Sequence, residues 1–223
     1  MKLLSLAVFA LGASTLFAQG YESDKPFTFG FKVGVPVTDM FASRNTSLFN
    51  GNLADSNYYS SVPRYTFGLS GEFKMPKHLR LEVDGLYKRA GYAASNTGDI
   101  FGGSGDYNTK MNVWEIPALL KTNITLGHVR PFIDFGASLR HVSSFQTTGY
   151  MPGAIYPTIY NNSPDLHNRN SYGGVAGIGI TFKFGVFELS PEARYTRWAN
   201  QSFAAPGFRT NLDQGDVLLG ISF

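Results

Sequence analysis

From Gly215 to Phe223 the chain alternates: Val217, Leu219, Ile221 and Phe223 are apolar, while Asp216, Leu218, Gly220 and Ser222 between them are mostly polar or small. Successive side chains of a β-strand point to opposite faces, so a period of two sorts the run into two faces; a helix would place its apolar residues at a period near 3.6. The same alternation recurs in seven earlier segments, with boundaries near Phe27 to Val37, Pro63 to Lys74, Leu79 to Gly91, Lys110 to Ile124, Val129 to Val142, Tyr172 to Lys183 and Phe187 to Trp198. In the first, Phe27, Phe29, Phe31, Val33, Val35 and Val37 oppose Thr28, Gly30, Lys32, Gly34 and Pro36. A face that is apolar while its opposite carries charge fits a strand with lipid on one side and a polar lumen on the other.

The connections alternate too. They run long (38–62), short (75–78), long (92–109), short (125–128), long (143–171), short (184–186) and long (199–214). Such sorting belongs to an up-and-down barrel whose two rims meet different compartments. The reading is therefore all-β: an eight-stranded antiparallel up-and-down transmembrane β-barrel with short periplasmic turns and long extracellular loops. Outward aromatics gather at two levels, Tyr65, Tyr87, Trp114 and Tyr195 toward the long loops, and Phe73, Phe182, Phe187 and Phe223 toward the short turns. These are the aromatic girdles of a membrane barrel.

The address agrees. Lys2, the apolar run Leu3 to Leu11 and the small-residue end at Ala18 make residues 1–18 a secretory signal peptide. Residues 19–26 then form a short periplasmic segment and 27–223 the barrel domain, with no peptidoglycan-binding domain expected. Past the signal, no apolar stretch reaches the roughly 18 residues that a membrane helix needs, and mean hydropathy is only −0.10. There is no cysteine, so disulfides, thiol nucleophiles and lipid-anchored cysteines are excluded. The formal charge of +3 is small and its basic residues form no run, which argues against nucleic acid as a partner.

The signal peptide, eight alternating strands, alternating loops and terminal Phe223 together resemble the small outer-membrane β-barrel proteins of the OmpA/OmpX type, including the PorT-like group. The stretch Leu189-Ser190-Pro191-Glu192-Ala193-Arg194-Tyr195-Thr196-Arg197-Trp198 looks like the penultimate strand of the PorT-like barrels. The resemblance implies export across the inner membrane to the outer membrane, contact with its lipid and lipopolysaccharide, and a role for Phe223 in the signal read by the barrel-assembly machinery. It says little about activity, because members include structural proteins, adhesins and enzymes.

Inward positions carry Glu72, Glu82, Asp84, Glu115, Asp134, Glu188, Glu192 and Asp216 as acids, with Lys32, Arg80, Lys88, Lys121, Arg130, Arg140, Lys183 and Arg194 as bases. Opposite charges in equal number, inside a barrel just wide enough for side chains, should form a paired plug. A narrow ion-conducting channel is the alternative. A soluble lipocalin-like binder would have an apolar lumen instead. Gly173, Gly177 and Gly179 are read as leaving lumen space for bulky neighbours.

His141 and Ser143 are the candidates for catalysis, since an i, i+2 pair on a strand shares a face and the imidazole could activate the hydroxyl. They resemble the His and Ser of the outer-membrane lipid A deacylases, but no acid follows until Asp165. The chain is therefore expected not to be an enzyme, with a lipid A-modifying activity as the alternative. The four histidines show no metal-ligand spacing, and no cofactor is expected. The long loops are rich in Asn, Ser, Gly and Tyr, which suits adaptable contact with an extracellular ligand or surface, and the apolar residues of 151–157 are candidates to fold over the mouth. The expected molecule is a monomer with a structural or surface-interaction role.

Overall fold

The computed structural model describes residues 26–43, 55–60, 63–76, 79–97, 105–124, 129–150, 157–161, 166–205 and 208–223. The signal-peptide assignment and nearly all of the segment at 19–26 lie outside these. The strands in chain order are β1 (Phe27–Pro36), β2 (Phe41–Ser43), β3 (Asp55–Ser60), β4 (Tyr65–Lys74), β5 (Leu79–Thr97), β6 (Gly105–Asn123) and β7 (Val129–Tyr150), followed by β8 (Thr158–Tyr160), β9 (Asn170–Phe184), β10 (Phe187–Trp198), β11 (Ala204–Ala205), β12 (Phe208–Thr210) and β13 (Asp213–Ser222).

Eight of these close a barrel. Each wall strand pairs antiparallel with its neighbours in the order β1, β4, β5, β6, β7, β9, β10 and β13, and β13 returns to β1 with Phe31 opposite Ile221 and Val35 opposite Val217. Closure leaves no unpaired edge in the membrane, where an unsatisfied backbone group is costly. Burial is inverted relative to a soluble protein. Phe31 and Val33 are each 49% exposed, while Lys32 between them is 4% exposed. Apolar side chains face out because their solvent is lipid.

The short turn at Gly185 adopts a left-handed φ of 56°, a conformation that glycine enters without a Cβ clash. Inside the wall, a side chain at Gly177 would run into the Asp134 carboxylate and one at Gly179 into the Phe132 ring, so both positions leave lumen space. Gly173 differs from that expectation: it lies against the backbone of Arg197 and Trp198, on the neighbouring strand.

The connections at 92–109 and 143–171 are not simply loops. β5 continues to Thr97, β6 begins at Gly105 and β7 runs to Tyr150, which carries three neighbouring strands well beyond the ends of β4 and β10. Above the bilayer neither face meets lipid, so the apolar-out signal that marks a membrane strand disappears. β3 pairs with the upper part of β5 and β8 with that of β7, while β2, β12 and β11 make a separate small sheet over the mouth. Of the apolar loop at 151–157 only Pro157 is described, and it is exposed.

β7 also contains a bulge. Asn112 pairs with Ser144 but Val113 pairs with Val142, so Ser143 is an extra residue. An extra residue shifts the alternation by one. Inward positions are even-numbered up to Val142, and Phe145 is buried after it.

Candidate functional site

The lumen charges meet in two networks. In the lower one, Lys32 on β1 donates to Glu82 and, at 2.9 Å, to Glu192, and lies 3.2 Å from Asp84. Arg194 on β10 reaches the same three carboxylates, at 2.6 Å to Glu192, 2.9 Å to Asp84 and 3.1 Å to Glu82. Glu72 and Glu82 oppose each other directly on β4 and β5. Lys121 relieves that repulsion by donating to both, at 2.7 and 3.0 Å, and Arg80 adds a 3.1 Å bond to Glu72. Four cations thus face four carboxylates, the condition for holding charge in a low-dielectric interior.

Asp134 stands apart. It is buried and lies opposite Lys121 in the ladder, yet neither carboxylate oxygen accepts a hydrogen bond from a described residue. Lys121 turns to the glutamates and places its ammonium 3.9 Å over the Phe132 ring. Near the short-turn rim, Arg130 pairs with Glu188 at 3.2 Å.

The upper network joins Lys88, Glu115, Asp216 and Arg140. Lys88 lies 2.7 Å from Glu115 and 2.8 Å from Asp216, and Arg140 donates to Glu115 at 3.0 Å. Arg140 also donates to Gln214, which accepts a 3.2 Å bond from the Trp198 indole, and its guanidinium stacks 3.7 Å from the Trp198 ring. Trp198 and Gln214 carry no charge, so the balance of inward acids and bases in the sequence does not mark them.

On three of the wall strands a buried leucine lies between the networks: Leu86 between Asp84 and Lys88 on β5, Leu119 between Lys121 and Glu115 on β6, and Leu218 next below Asp216 on the inward face of β13. Beyond the upper network the inward faces become apolar. Ala90, Tyr92, Met111, Val113, Val142 and Phe145 form a core with Phe203, against which Met40, Phe41 and Leu166 pack. Phe41 and Phe203 meet edge-to-face at 5.6 Å, and Phe145 stacks on Phe203 at 5.9 Å. Phe41 opens β2 and Phe203 immediately precedes β11, both in stretches read from sequence as plain loop.

The outer wall carries the proposed catalytic pair. His141 and Ser143 are both exposed, but they do not bond to one another. The His141 ring engages Asn170 on β9 through Nδ1 and Oδ1 at 2.7 Å, and Ser143 Oγ donates to the Asn112 carbonyl at 3.2 Å. The orienting group absent from the sequence near His141 is thus an amide across the ladder, invisible without strand register. At the same rim, Asp213 accepts from Tyr195 at 2.5 Å and pairs with Arg197. The Phe223 backbone donates to Phe29 at 2.9 Å, which ties the last residue to β1.

Lower on the lipid face, Pro191 interrupts the β9–β10 ladder beside Ile180, and an apolar groove of about 710 Å³ opens there between Ile133, Ile178, Pro131 and Val217. Two levels of outward aromatic rings bracket the wall. Tyr87 meets Phe67 at 5.0 Å and Trp114 at 5.4 Å near the long-loop side, and Phe27 meets Phe73 at 4.8 Å near the short turns.

A closed eight-stranded wall, apolar outside, charged inside and ringed by aromatics, defines an integral outer-membrane β-barrel of the small OmpA/OmpX type. Residues 17–200 match the outer membrane protein beta-barrel domain family, and the chain belongs to it. Among solved structures, the fold is shared with the outer membrane protein OprG of Pseudomonas aeruginosa, at 12% identity and a TM-score of 0.51, covering 88% of this chain and 94% of that one. Neisserial surface protein A is also similar, at 14% identity and a TM-score of 0.44 over 90% of this chain and 98% of its own. The attachment invasion locus protein Ail of Yersinia pestis follows at 12% identity and 0.41, over 89% and 98%. No curated protein matches the chain.

Proposed function

We propose that the protein is a closed barrel, with a structural and surface-contact role exerted through the extracellular extension of β5, β6 and β7 and the loops around it. The observation that carries this is the layered interior, two neutralised ion-pair networks separated by Leu86, Leu119 and Leu218 and covered by the Phe41–Phe203 core. An ion path would have to pass between paired charges and then cross the apolar core around Phe203, where a bare charge is costly. The purified protein in planar bilayers is expected to give negligible conductance; large, stable single-channel steps overturn the closed reading. For the contact role, deletion of Gly149 to Asn161 is expected to weaken binding of the producing cells to host matrix or to other cells. Unchanged binding counts against it.

Catalysis by His141 and Ser143 is not part of this proposal. Asn170 holds the imidazole, but the hydroxyl of Ser143 is committed to a backbone carbonyl, and the hydrogen bond that would activate it is absent. A lipid A deacylation assay on the wild type and His141→Ala is expected to give the same background. Activity lost with His141→Ala would reinstate the enzyme.

A further inference from the structure

We propose that the outward face of β5 and β6, directly above the aromatic belt, binds the phosphorylated headgroup of an outer-leaflet lipid. Arg89 follows Tyr87 by two residues on β5, and Asn112 precedes Trp114 by two on β6, so both side chains sit one step, about 7 Å, outward of the belt. That belt marks the interface between hydrocarbon and headgroups, and the step above it is the headgroup layer.

Arg89 lies opposite Asn112 in the ladder. Lys110, two residues before Asn112 on the same face, is therefore its diagonal neighbour, at a spacing of about 7–8 Å. Both cations are exposed, and neither has a carboxylate partner among the described residues. Their situation differs from that of two other exposed arginines: Arg64 lies 3.6 Å from Asp39, and Arg197 is paired with Asp213. Between the two cations, the Tyr87 hydroxyl donates to Asn112 Oδ1 at 2.7 Å. That bond engages the amide's oxygen and leaves its N–H₂ as the group to donate.

The patch thus offers a guanidinium, an ammonium and an amide N–H₂, with no described carboxylate among them. Long Arg and Lys side chains at this spacing reach one tetrahedral oxyanion together, and charge-assisted donors hold phosphate strongly. Asp106, the described outward carboxylate on these strands, lies four residues beyond Lys110, toward the tip of β6. The occupant follows from position and charge: a surface of donors at headgroup depth faces the phosphates of the leaflet around it.

The test uses the full mature chain in detergent, titrated with lipid A bearing its phosphates and with the same lipid dephosphorylated, bound lipid being counted by native mass spectrometry. Wild type is expected to retain the phosphorylated lipid at least about tenfold more strongly, a difference of about 1.4 kcal/mol. Arg89→Gln/Lys110→Gln should abolish that preference, Arg89→Lys/Lys110→Arg should keep it, and Arg209→Gln, an exposed cation elsewhere, should leave it intact. Heat-modifiable gel migration verifies that each variant is folded, and the two single substitutions stand in if the double one is not. Equal retention of both lipids, or a preference that survives in the glutamine variants, overturns the proposal. So does displacement of the lipid by inorganic phosphate at equal concentration, which would make the patch a site for the free ion.

Discussion

Lys32 Nζ lies 2.9 Å from Glu192 Oε2, joining β1 to β10 across the intervening β13, although the two residues are 160 positions apart in the chain. The ammonium is shared with Glu82 and Asp84, so removing it leaves three buried carboxylates to Arg194 and Lys121. Lys32→Met is expected to destabilise the barrel by about 3–5 kcal/mol, the usual penalty for stranding buried charge. Urea unfolding in lipid, followed by heat-modifiable gel migration, measures it. Adding Glu192→Gln to Lys32→Met should cost less than the sum of the two single changes, because the second removes one of the stranded charges.

Asp134 predicts the opposite sign. Among the described residues its oxygens accept no hydrogen bond and no cation lies within ion-pair distance, so its charge is buried without a direct partner. Asp134→Asn keeps the shape against Gly177 and removes the charge. The variant should be as stable as the wild type or more so, by up to about 1–2 kcal/mol. A loss comparable to that of Lys32→Met in the same unfolding assay would mean that the carboxylate has a partner.

The wall strands were legible because lipid outside and charge inside write a period of two into the chain, as at Phe31, Lys32 and Val33. What fails is the part above the membrane. Ala93, Ser95 and Asn96, or Gly105 and Asn108, read as loop because neither face there meets hydrocarbon, yet they continue β5 and β6. The charge partners were equally hidden. Alternation tells that Lys32 points inward, but its meeting with Glu82 and Asp84 on β5 depends on how the strands are staggered around the closed wall, which no local pattern records. Asn170 escaped notice as the partner of His141 for the same reason.

Arg140 and Trp198 give a third expectation. The guanidinium stacks on the indole and both side chains bond to Gln214, so one aromatic plane orients the charge that holds Glu115. Trp198→Leu should lose about 3 kcal/mol or more, combining lost packing with the desolvated cation–π contact. Trp198→Phe, which keeps a ring but not the indole N–H, should recover more than half of that. Equal losses for Leu and Phe would show that volume and not the ring face matters at this site.

The bulge at Ser143 sets the last prediction. Its extra residue is what turns Phe145 into the core with Phe203 while leaving Ser144 and Gln146 exposed. Ser143→Ala preserves the residue count and forfeits only the 3.2 Å bond to Asn112, so it should cost no more than about 1 kcal/mol. Deleting Ser143 and Ser144 together instead makes Phe145 follow Val142 in continuous register, opposite Asn112, and every side chain from Phe145 to Thr148 exchanges faces. Phe145 would then point outward and Gln146 into the apolar core. The membrane part of the wall, paired below the bulge, should stay folded and keep its heat-modifiable migration, while the extracellular extension loosens. Limited proteolysis of intact cells distinguishes the two variants: rapid cleavage within 92–109 or 143–160 is expected for the deletion and wild-type resistance for Ser143→Ala. Equal resistance would show that the extension holds together without Phe145 in its core.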